Sequence, residues 1–435
     1  MTPVRRVAGT TFRSLRVRNY RLYFTGQIIS VSGTWMQSVA QAWLVARYLA
    51  PKNEAGVAVG ITLALQFLPM LLFGAWGGLV ADRVDKRRLL YATQSAGAAL
   101  ALVLGVLVLS GPGPTGDARL WEVYLLSLLL GVVNLFDNPA RQTFVVEMVG
   151  NDDLPNAVSL NSIVMNGARV IGPAISGVLI ATVGLGVCFI ANAVSYGAVI
   201  VALSRMRRSE LHPSARVAKA KGQLREGVRY AWRTPTLRGP LVLVFVVGLL
   251  AYNFTVILPL LARFTFHGGS GTFATLTVLM AGGAVVGGLV VAGRKGRPNI
   301  HRLTGIGIAF GIMILTVALS PTLASAGVLL FVMGALSIAF IATANATIQL
   351  RVEPTMRGRV MALYAMGFLG TTPLGAPLVG WISQAASPRV ALLVGGLATV
   401  VASSVTLVVH RREHDRSAAR LVVEESEPGS ELGVA

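Results

Sequence analysis

Three charged residues, Asp137, Arg141 and Arg169, lie inside runs of apolar sequence. Asp137 and Arg141 are four residues apart, so on a helix they share one face and can form an ion pair. A carboxyl group in a pair that breaks and re-forms can take up a proton and release it again. Arg169 cannot lose its proton, so it can act only as a fixed countercharge or as a ligand for an anion. These three residues predict proton coupling. Glu147 is a further candidate, or else a residue of the membrane interface.

The segments that must position these residues are long and apolar. Only 13% of the 435 residues are charged and 54% are hydrophobic. We identify twelve apolar segments, each long enough to cross a bilayer as a helix. They cover about 22–49, 56–81, 89–110, 121–147, 156–182, 184–204, 240–264, 271–293, 303–320, 322–350, 358–384 and 389–409. The sequence therefore predicts an all-α, polytopic membrane protein.

The net charge of +20 is concentrated in alternate loops. Of the 38 Lys and Arg residues, 31 lie in the N-terminal tail, in every second loop and in the C-terminal tail. Cytoplasmic loops of membrane proteins carry such an excess, so we expect both termini to be cytoplasmic. Membrane topology accounts for the basic excess, and we expect no nucleic-acid partner. The single cysteine, Cys188, excludes a disulfide within the chain.

The longest polar interruption divides the twelve segments into six and six. Within it, residues 219–233 predict either a short amphipathic helix on the membrane surface or a solvated linker with some helix. The predicted organisation is a cytoplasmic N-terminal tail (1–21), a first six-helix half (22–204), a cytoplasmic central loop (205–239), a second six-helix half (240–410) and a disordered cytoplasmic tail (411–435).

The two halves contain an internal repeat. Residues 156–179 align with residues 359–382, and residues 77–82 align with residues 287–292. The first alignment pairs two glycines with two others: Gly172 with Gly375, and Gly177 with Gly380. Internal repeats of this kind are typical of transporters, in which the substrate site lies between the halves.

Uncharged polar residues form a stripe along the first apolar segment. They recur at steps of three and four, which places them on one helical face: Gln27, Ser30, Thr34, Gln37 and Gln41. Such a stripe is unfavourable against lipid, so it either lines a substrate cavity or forms hydrogen bonds with neighbouring helices. Asn134, Asn253 and Asn345 are further candidates for the cavity. We expect Trp35 and Trp43 to pack rather than to bind.

Residues 77–88 read GGLVADRVDKRR, in which paired glycines precede an acidic and basic cluster. This motif resembles the loop between the second and third spans of the major facilitator superfamily. The resemblance implies a conformational latch, formed by Gly78, Asp82, Arg83 and Arg87, that holds one access state by contact with the second half. The alternative is an ordinary basic loop, which would explain the Lys and Arg residues but not Asp82.

The motif RVIGPAISG, residues 169–177, resembles the fifth-span signature of antiporters in that superfamily. Gly172, Pro173 and Gly177 would bend the helix and allow close packing. Packing of small residues alone predicts the same geometry, so the motif favours export only weakly.

Two further stretches narrow the family. Residues 18–45 and the motif DNPARQTFVVEMV resemble the bacterial exporters that include enterobactin exporters and macrolide efflux proteins. This resemblance implies a twelve-helix transporter of the inner membrane that exports drug-like or siderophore-like compounds in exchange for protons. The implied partners are a small-molecule substrate, protons and the lipid bilayer.

The alternatives are an uptake transporter with the same fold and a membrane scaffold or sensor that transports nothing. The charged residues inside the apolar segments favour transport over a scaffold. The sequence has no phosphate-binding loop, and its five histidines lie outside the span centres. We therefore expect no enzyme, no catalytic residues, no metal and no cofactor.

Overall fold

The computed structural model describes residues 13–426 except 112, 114, 151–152, 213–222, 294–297, 354–355 and 369. The side chain of Asp82 also lies outside the described part. Every regular element in the described residues is helical. Eleven of the helical segments are long and apolar enough to cross a membrane, and Arg18–Leu44 brings the count to the predicted twelve spans.

The first half contains spans one to six in chain order: Arg18–Leu44 with a π-helical end at Val45–Leu49, Ala55–Arg83, Lys86–Leu109, Leu120–Val149, Leu154–Thr182 and Leu185–Ser204. Short 3-10 turns at Arg13–Arg16 and Arg208–Glu210 flank this half. The central loop contains the helix Gln223–Arg233.

The second half contains spans seven to twelve. They are Pro235–Thr265 in several pieces, Ser270–Gly293, Ile300–Ala318, Leu323–Arg351, Arg357–Phe368 continued by Thr372–Ala385, and Pro388–Ser426. The seventh span consists of Pro235–Val246, Val247–Ala251, Phe254–Leu260 and Leu261–Thr265, with π-helical second and fourth pieces. Its interruption at Tyr252 and Asn253 turns these two residues toward the centre of the molecule.

The first span is not among the eleven strongly apolar helices because it carries the polar stripe. Gln27, Gln37 and Gln41 are nevertheless all less than 5% exposed. Polar groups that would be unfavourable against lipid are therefore buried against other helices. Burial inside the protein allows a span of low hydropathy to cross the membrane.

The internal repeat is visible in the packing of its glycines. A Cβ atom at Gly172 would lie 2.6 Å from the Ser32 carbonyl oxygen of the first span. A Cβ atom at the equivalent Gly375 would lie 2.3 Å from the Leu249 carbonyl oxygen of the seventh span. The first and seventh spans hold equivalent places in the two halves. The fifth and eleventh spans thus approach equivalent neighbours at equivalent residues.

The halves meet most extensively through two helix pairs, the second span with the eleventh and the fifth span with the eighth, and the seventh span also contacts the first and second spans. We call the side where the first span begins the basic side, and the opposite side the far side. Between described residues, two hydrogen bonds join the halves, and both lie on the far side. The guanidinium of Arg263 donates to the Ala46 carbonyl, and the Val57 amide donates to Gln384 over 3.3 Å. The halves are therefore closed against each other on the far side.

The central-loop helix Gln223–Arg233 packs on the eleventh span and lies within the segment predicted as either a surface helix or a solvated linker with some helix. Its Glu226 forms a 2.7 Å ion pair with Arg359, while Trp232 remains 63% exposed. The twelfth span continues as a helix to Ser426, so much of the predicted disordered tail, 411–435, is helical. The residues REHDRSAARL at 412–421 are mostly good helix formers, which explains the extension. Residues 427–435 lie outside the described part.

Candidate functional site

Two neighbouring cavities occupy the middle of the bundle. The central cavity is lined by both halves and encloses about 1100 Å³, including its opening to solvent. Its walls include Trp35, Arg169, Tyr252, Asn253, Phe273 and Phe368. The polar cavity encloses about 900 Å³ and is lined by the first half, including Thr34, Gln94, Asn134, Asp137, Arg141 and Tyr196. Arg169 and Trp35 line both cavities, so the two are adjacent.

The predicted pair of Asp137 and Arg141 is present and buried. Asp137 is 2% exposed and Arg141 is 8% exposed. Both Nε and Nη2 of Arg141 donate to Oδ2 of Asp137, with Nε at 3.0 Å. Oδ1 of Asp137 accepts from the Thr93 hydroxyl at 2.8 Å and from the Gln94 amide at 2.7 Å. The carboxylate therefore has a donor for each of its main acceptor directions.

The pair of Asp137 and Arg141 lines the polar cavity. Two of the four donors to the Asp137 carboxylate belong to the Arg141 guanidinium, and such charge-assisted hydrogen bonds are the stronger ones. The Asn138–Pro139 step lies within the same helix, and Asn138 and Asn134 both line the polar cavity. A charge pair beside a cavity can exchange partners with water or substrate when the helices move.

Arg169 lies between the two halves. Its guanidinium is 5.2 Å from the centre of the Trp35 ring and 5.6 Å from the centre of the Phe368 ring. One ring belongs to the first span and the other to the eleventh. No hydrogen bond or ion pair joins Arg169 to any residue in the described part of the chain. Cation–π contacts with both halves hold the charge at the middle of the molecule.

Trp35 and Trp43 have different surroundings. Trp43 is fully buried and stacks on Phe273 with ring centres 4.6 Å apart, as expected for packing. Trp35 lines both cavities. Trp35 also contacts the guanidinium of Arg169, and the expectation that Trp35 packs rather than binds stays a prediction.

The polar stripe of the first span forms hydrogen bonds across the first half. Gln27 accepts from Nη1 of Arg141, and Ser30 donates to Gln94 over 3.4 Å. Gln37 accepts from Asn192 at 2.6 Å, and Gln41 donates to Ser127. Of the five stripe residues, Thr34 lines the polar cavity. The stripe thus supports the charged pair and joins helices, and Gln37 and Gln41 line neither cavity.

We expect Gln37→Leu to reduce the stability of the fold rather than the affinity for substrate. The substitution leaves the buried Asn192 amide without its acceptor. An unsatisfied buried polar group costs about 1–3 kcal/mol. The measurement is the thermal unfolding temperature of the purified protein in detergent, which should fall. An unchanged unfolding temperature with weakened substrate binding would instead place Gln37 in the binding site.

The remaining cavity candidates differ in position. Asn253 lines the central cavity from the second half and is 5% exposed, and its amide donates to the Leu249 carbonyl at 2.9 Å. Asn345 accepts from Gln349 at 2.6 Å and lies outside both cavities. The structure therefore brings Asn253, Asn134, Thr34 and the charged residues together, and leaves Asn345 apart.

Glu147 lies at the basic end of the fourth span. Its carboxylate forms a 2.6 Å ion pair with Lys86, a residue of the GGLVADRVDKRR motif. Arg87 donates to the Leu203 carbonyl at the end of the sixth span, with Nε at 2.9 Å. These contacts remain within the first half. Of the other predicted latch residues, Gly78 is buried and Arg83 is exposed. A latch that joins Asp82 and Arg83 to the second half stays a prediction.

The antiporter-like motif of the fifth span faces both halves. Gly172 allows the first span to approach, and Pro173 lines the central cavity within an unbroken helix. A Cβ atom at Gly177 would lie 3.2 Å from Cα of Ala274 in the eighth span. The motif thus gives the fifth span close contact with its own half and with the other half.

Several site residues were not identified from the sequence. Thr93 and Gln94 bind Asp137 from the third span, and Tyr252 and Phe368 form walls of the central cavity. The polar dipeptide Thr93–Gln94 inside an apolar span was a signal for the first two. The aromatic residues gave no such signal, because aromatic side chains are common throughout apolar spans.

Residues 9–431 match a family model of the major facilitator group described as a transmembrane secretion effector. The chain is 25% identical to the staphyloferrin A transporter of Staphylococcus aureus over 94% of this chain and 99% of that protein. It is 27% identical to the multidrug efflux pump Tap of Mycobacterium tuberculosis over 87% of this chain and 90% of that protein. Both similarities extend over nearly the whole bundle.

Among solved structures, the fold is similar to a bacterial homologue of the human lysosomal transporter Spinster, described as inward-facing and unoccupied. The TM-score is 0.70 at 14% identity, over 90% of this chain and 97% of that one. At this identity the similarity concerns the fold, and it confirms the predicted all-α, multi-span architecture.

Proposed function

Because this chain belongs to the transmembrane secretion effector family of the major facilitator superfamily, a family of membrane transporters, we propose that it exports a small amphipathic compound in exchange for protons. The observation that carries the proposal is the central cavity, which both halves line and which is closed on the far side. A cavity shared by two halves can be exposed to each side in turn as the halves rock.

The charge distribution supports a cytoplasmic assignment for the basic side. The Lys and Arg excess lies in the loops and tails of that side. We place the protein in the bacterial cytoplasmic membrane with both termini in the cytoplasm. On this assignment the far side faces outward, and we infer that a compound enters the cavity from the cytoplasm in this state.

The charge pair supports a role for protons. In the state that is closed toward the outside, Asp137 is paired with Arg141. Separation of Asp137 from Arg141 in the opposite state would leave a buried carboxylate that takes up a proton from outside. Re-pairing would then release that proton to the cytoplasm. One proton moving with the membrane potential supplies about 2.3 kcal/mol per 100 mV.

Relatives with known roles support export of a small compound. One similar protein is named as a staphyloferrin A transporter and another as a multidrug efflux pump. We propose Asp137, Arg141 and Arg169 as the coupling group, with Glu147 as the second carboxylate. Asp82 and Arg83, helped by Gly78 and Arg87, are proposed as the latch of the outward-open state.

Reconstitution into proteoliposomes tests this function. Three amphipathic fluorophores serve as the panel: neutral Nile red, cationic ethidium and anionic 8-anilinonaphthalene-1-sulfonate. In molecules inserted with the basic side toward the medium, the vesicle lumen corresponds to the outside of the cell. An acidic lumen therefore reproduces an acidic exterior. We expect at least one fluorophore to accumulate against its gradient and to leave when a protonophore is added. Accumulation only in vesicles with an alkaline lumen would support uptake instead.

A further inference from the structure

Arg169 has a charge that no partner in the described residues neutralises. Its guanidinium contacts the faces of Trp35 and Phe368, and neither ring can accept the in-plane hydrogen bonds that a guanidinium offers. The nearby carboxylate, Asp137, is already bound by Arg141, Thr93 and Gln94. A buried cation that makes no hydrogen bond or ion pair with the protein is unfavourable, and a bound anion would remove that penalty.

The rest of the central cavity suits an apolar molecule with few polar groups. Its lining contains no Asp, Glu or Lys, so its formal charge is that of Arg169 alone. Phe67, Phe254 and Phe273 provide aromatic walls. The hydroxyl of Thr277 lines the same cavity, is buried and has no hydrogen-bond partner. The cavity thus offers one positive charge and several uncharged polar side chains, among them the unpartnered hydroxyl of Thr277, within largely apolar and aromatic surroundings.

We propose that the central cavity selects amphipathic organic anions, with the acidic group on Arg169 and the aromatic or other apolar body against the phenylalanine walls. This inference rests on the proposed function, because it names the substrate class of the same site. An organic cation of equal size would meet the charge of Arg169 with no carboxylate in the lining to compensate. A neutral analogue would bind without the charge-assisted hydrogen bonds.

Three probes with the same aromatic body test the proposal: 1-naphthylacetate, 1-naphthylacetamide and 2-(1-naphthyl)ethylamine. Their binding to the purified full chain is measured by calorimetry in detergent, with no gradient present. For the native chain we expect the acetate to bind about tenfold more tightly than the acetamide, since hydrogen bonds to a charged group are the stronger ones. The amine should bind most weakly. Equal binding of the three, or a preference for the amine, would overturn the proposal.

Substitutions at Arg169 assign the preference to one residue. In Arg169→Gln the acetate and the acetamide should bind equally, whereas Arg169→Lys should retain a preference for the acetate. The matched control is Arg389→Gln, because Arg389 donates to the Ser320 carbonyl at 2.7 Å and lies outside both cavities. If Arg169→Gln still binds the acetate more tightly than the acetamide, the assignment to Arg169 is contradicted. If the variant misfolds, the order of affinities of the three probes for the native chain decides.

The binding assay tests the substrate class, and the transport assay tests proton-coupled export, so either claim can be rejected without the other. Loss of the acetate preference with intact pH-driven transport would reject the substrate class and keep the proposed function. An acetate preference without pH-driven transport would reject proton-coupled export and keep the anion site.

Discussion

Asp137→Asn is expected to abolish accumulation against a gradient, down to the level of empty liposomes, while binding and exchange of substrate across the membrane continue. Asparagine has nearly the same shape and still accepts a hydrogen bond, but it cannot gain or lose a proton. Exchange requires only alternating access, whereas uphill transport requires a proton carrier. The measurements are pH-driven accumulation and counterflow of the same labelled fluorophore in proteoliposomes.

The matched control for this variant lies on the same helix. Glu122 accepts from the Arg119 amide at 2.8 Å in the first turn of the fourth span. Glutamine preserves such a cap, so Glu122→Gln removes a carboxylate without removing its hydrogen bond. Uphill transport should persist in this control.

Other outcomes for Asp137→Asn lead to different conclusions. The substitution leaves Arg141 buried without its countercharge, which can cost about 3–5 kcal/mol of stability, so monodispersity of the purified variant must be checked first. If a well-folded variant still accumulates substrate, the proton moves elsewhere, and Glu147→Gln is the next variant. If binding is lost as well, the charged residues form a substrate site or a structural network.

Gly56→Ala is expected to slow transport strongly by preventing closure of the far side. The second and eleventh spans touch there through their backbones, and a Cβ atom at Gly56 would lie 2.2 Å from the Gly380 carbonyl oxygen. Overpacking of this kind costs about 1–3 kcal/mol. About 1.4 kcal/mol changes an equilibrium tenfold. The population of the outward-open state relative to the closed state should therefore rise by roughly fivefold to more than a hundredfold.

Accessibility of a single cysteine measures this shift. Thr255 lines the central cavity, so Thr255→Cys in a chain with Cys188→Ala reports whether a membrane-impermeant maleimide reaches the cavity from the far side. Labelling from that side should rise in Gly56→Ala. The control is Gly305→Ala in the ninth span, where a Cβ atom would have no neighbour within 4 Å. Equal labelling in both variants would show that the glycine contact does not control closure.

The sequence predicted the architecture and the charged pair because both depend on local spacing. Span length and hydropathy identify a helix that crosses the bilayer, and a four-residue separation places Asp137 and Arg141 on one face. The glycine alignment of the two halves also corresponds to equivalent helix contacts. These features need no knowledge of which helices are neighbours.

The rest of the site depends on neighbours that local spacing does not specify. The periodicity of the first span identified its polar face, but only the packed bundle shows that Gln37 faces Asn192 while Thr34 faces a cavity. Similarly, Thr93 and Gln94 become ligands of Asp137 only because the third span lies beside the fourth. The position of Tyr252 depends on an interruption of the seventh span that its apolar sequence does not show.

Proton movement driven by a substrate gradient is the most direct test of proton-coupled export. Proteoliposomes containing a trapped pH-sensitive dye, with no initial pH gradient, receive an outward gradient of the fluorophore that the panel identifies as transported. We expect protons to enter as the fluorophore leaves, and we expect Asp137→Asn to eliminate this proton entry while exchange of the fluorophore continues. Exit of the fluorophore without proton movement, or with protons leaving in the same direction, would contradict this expectation.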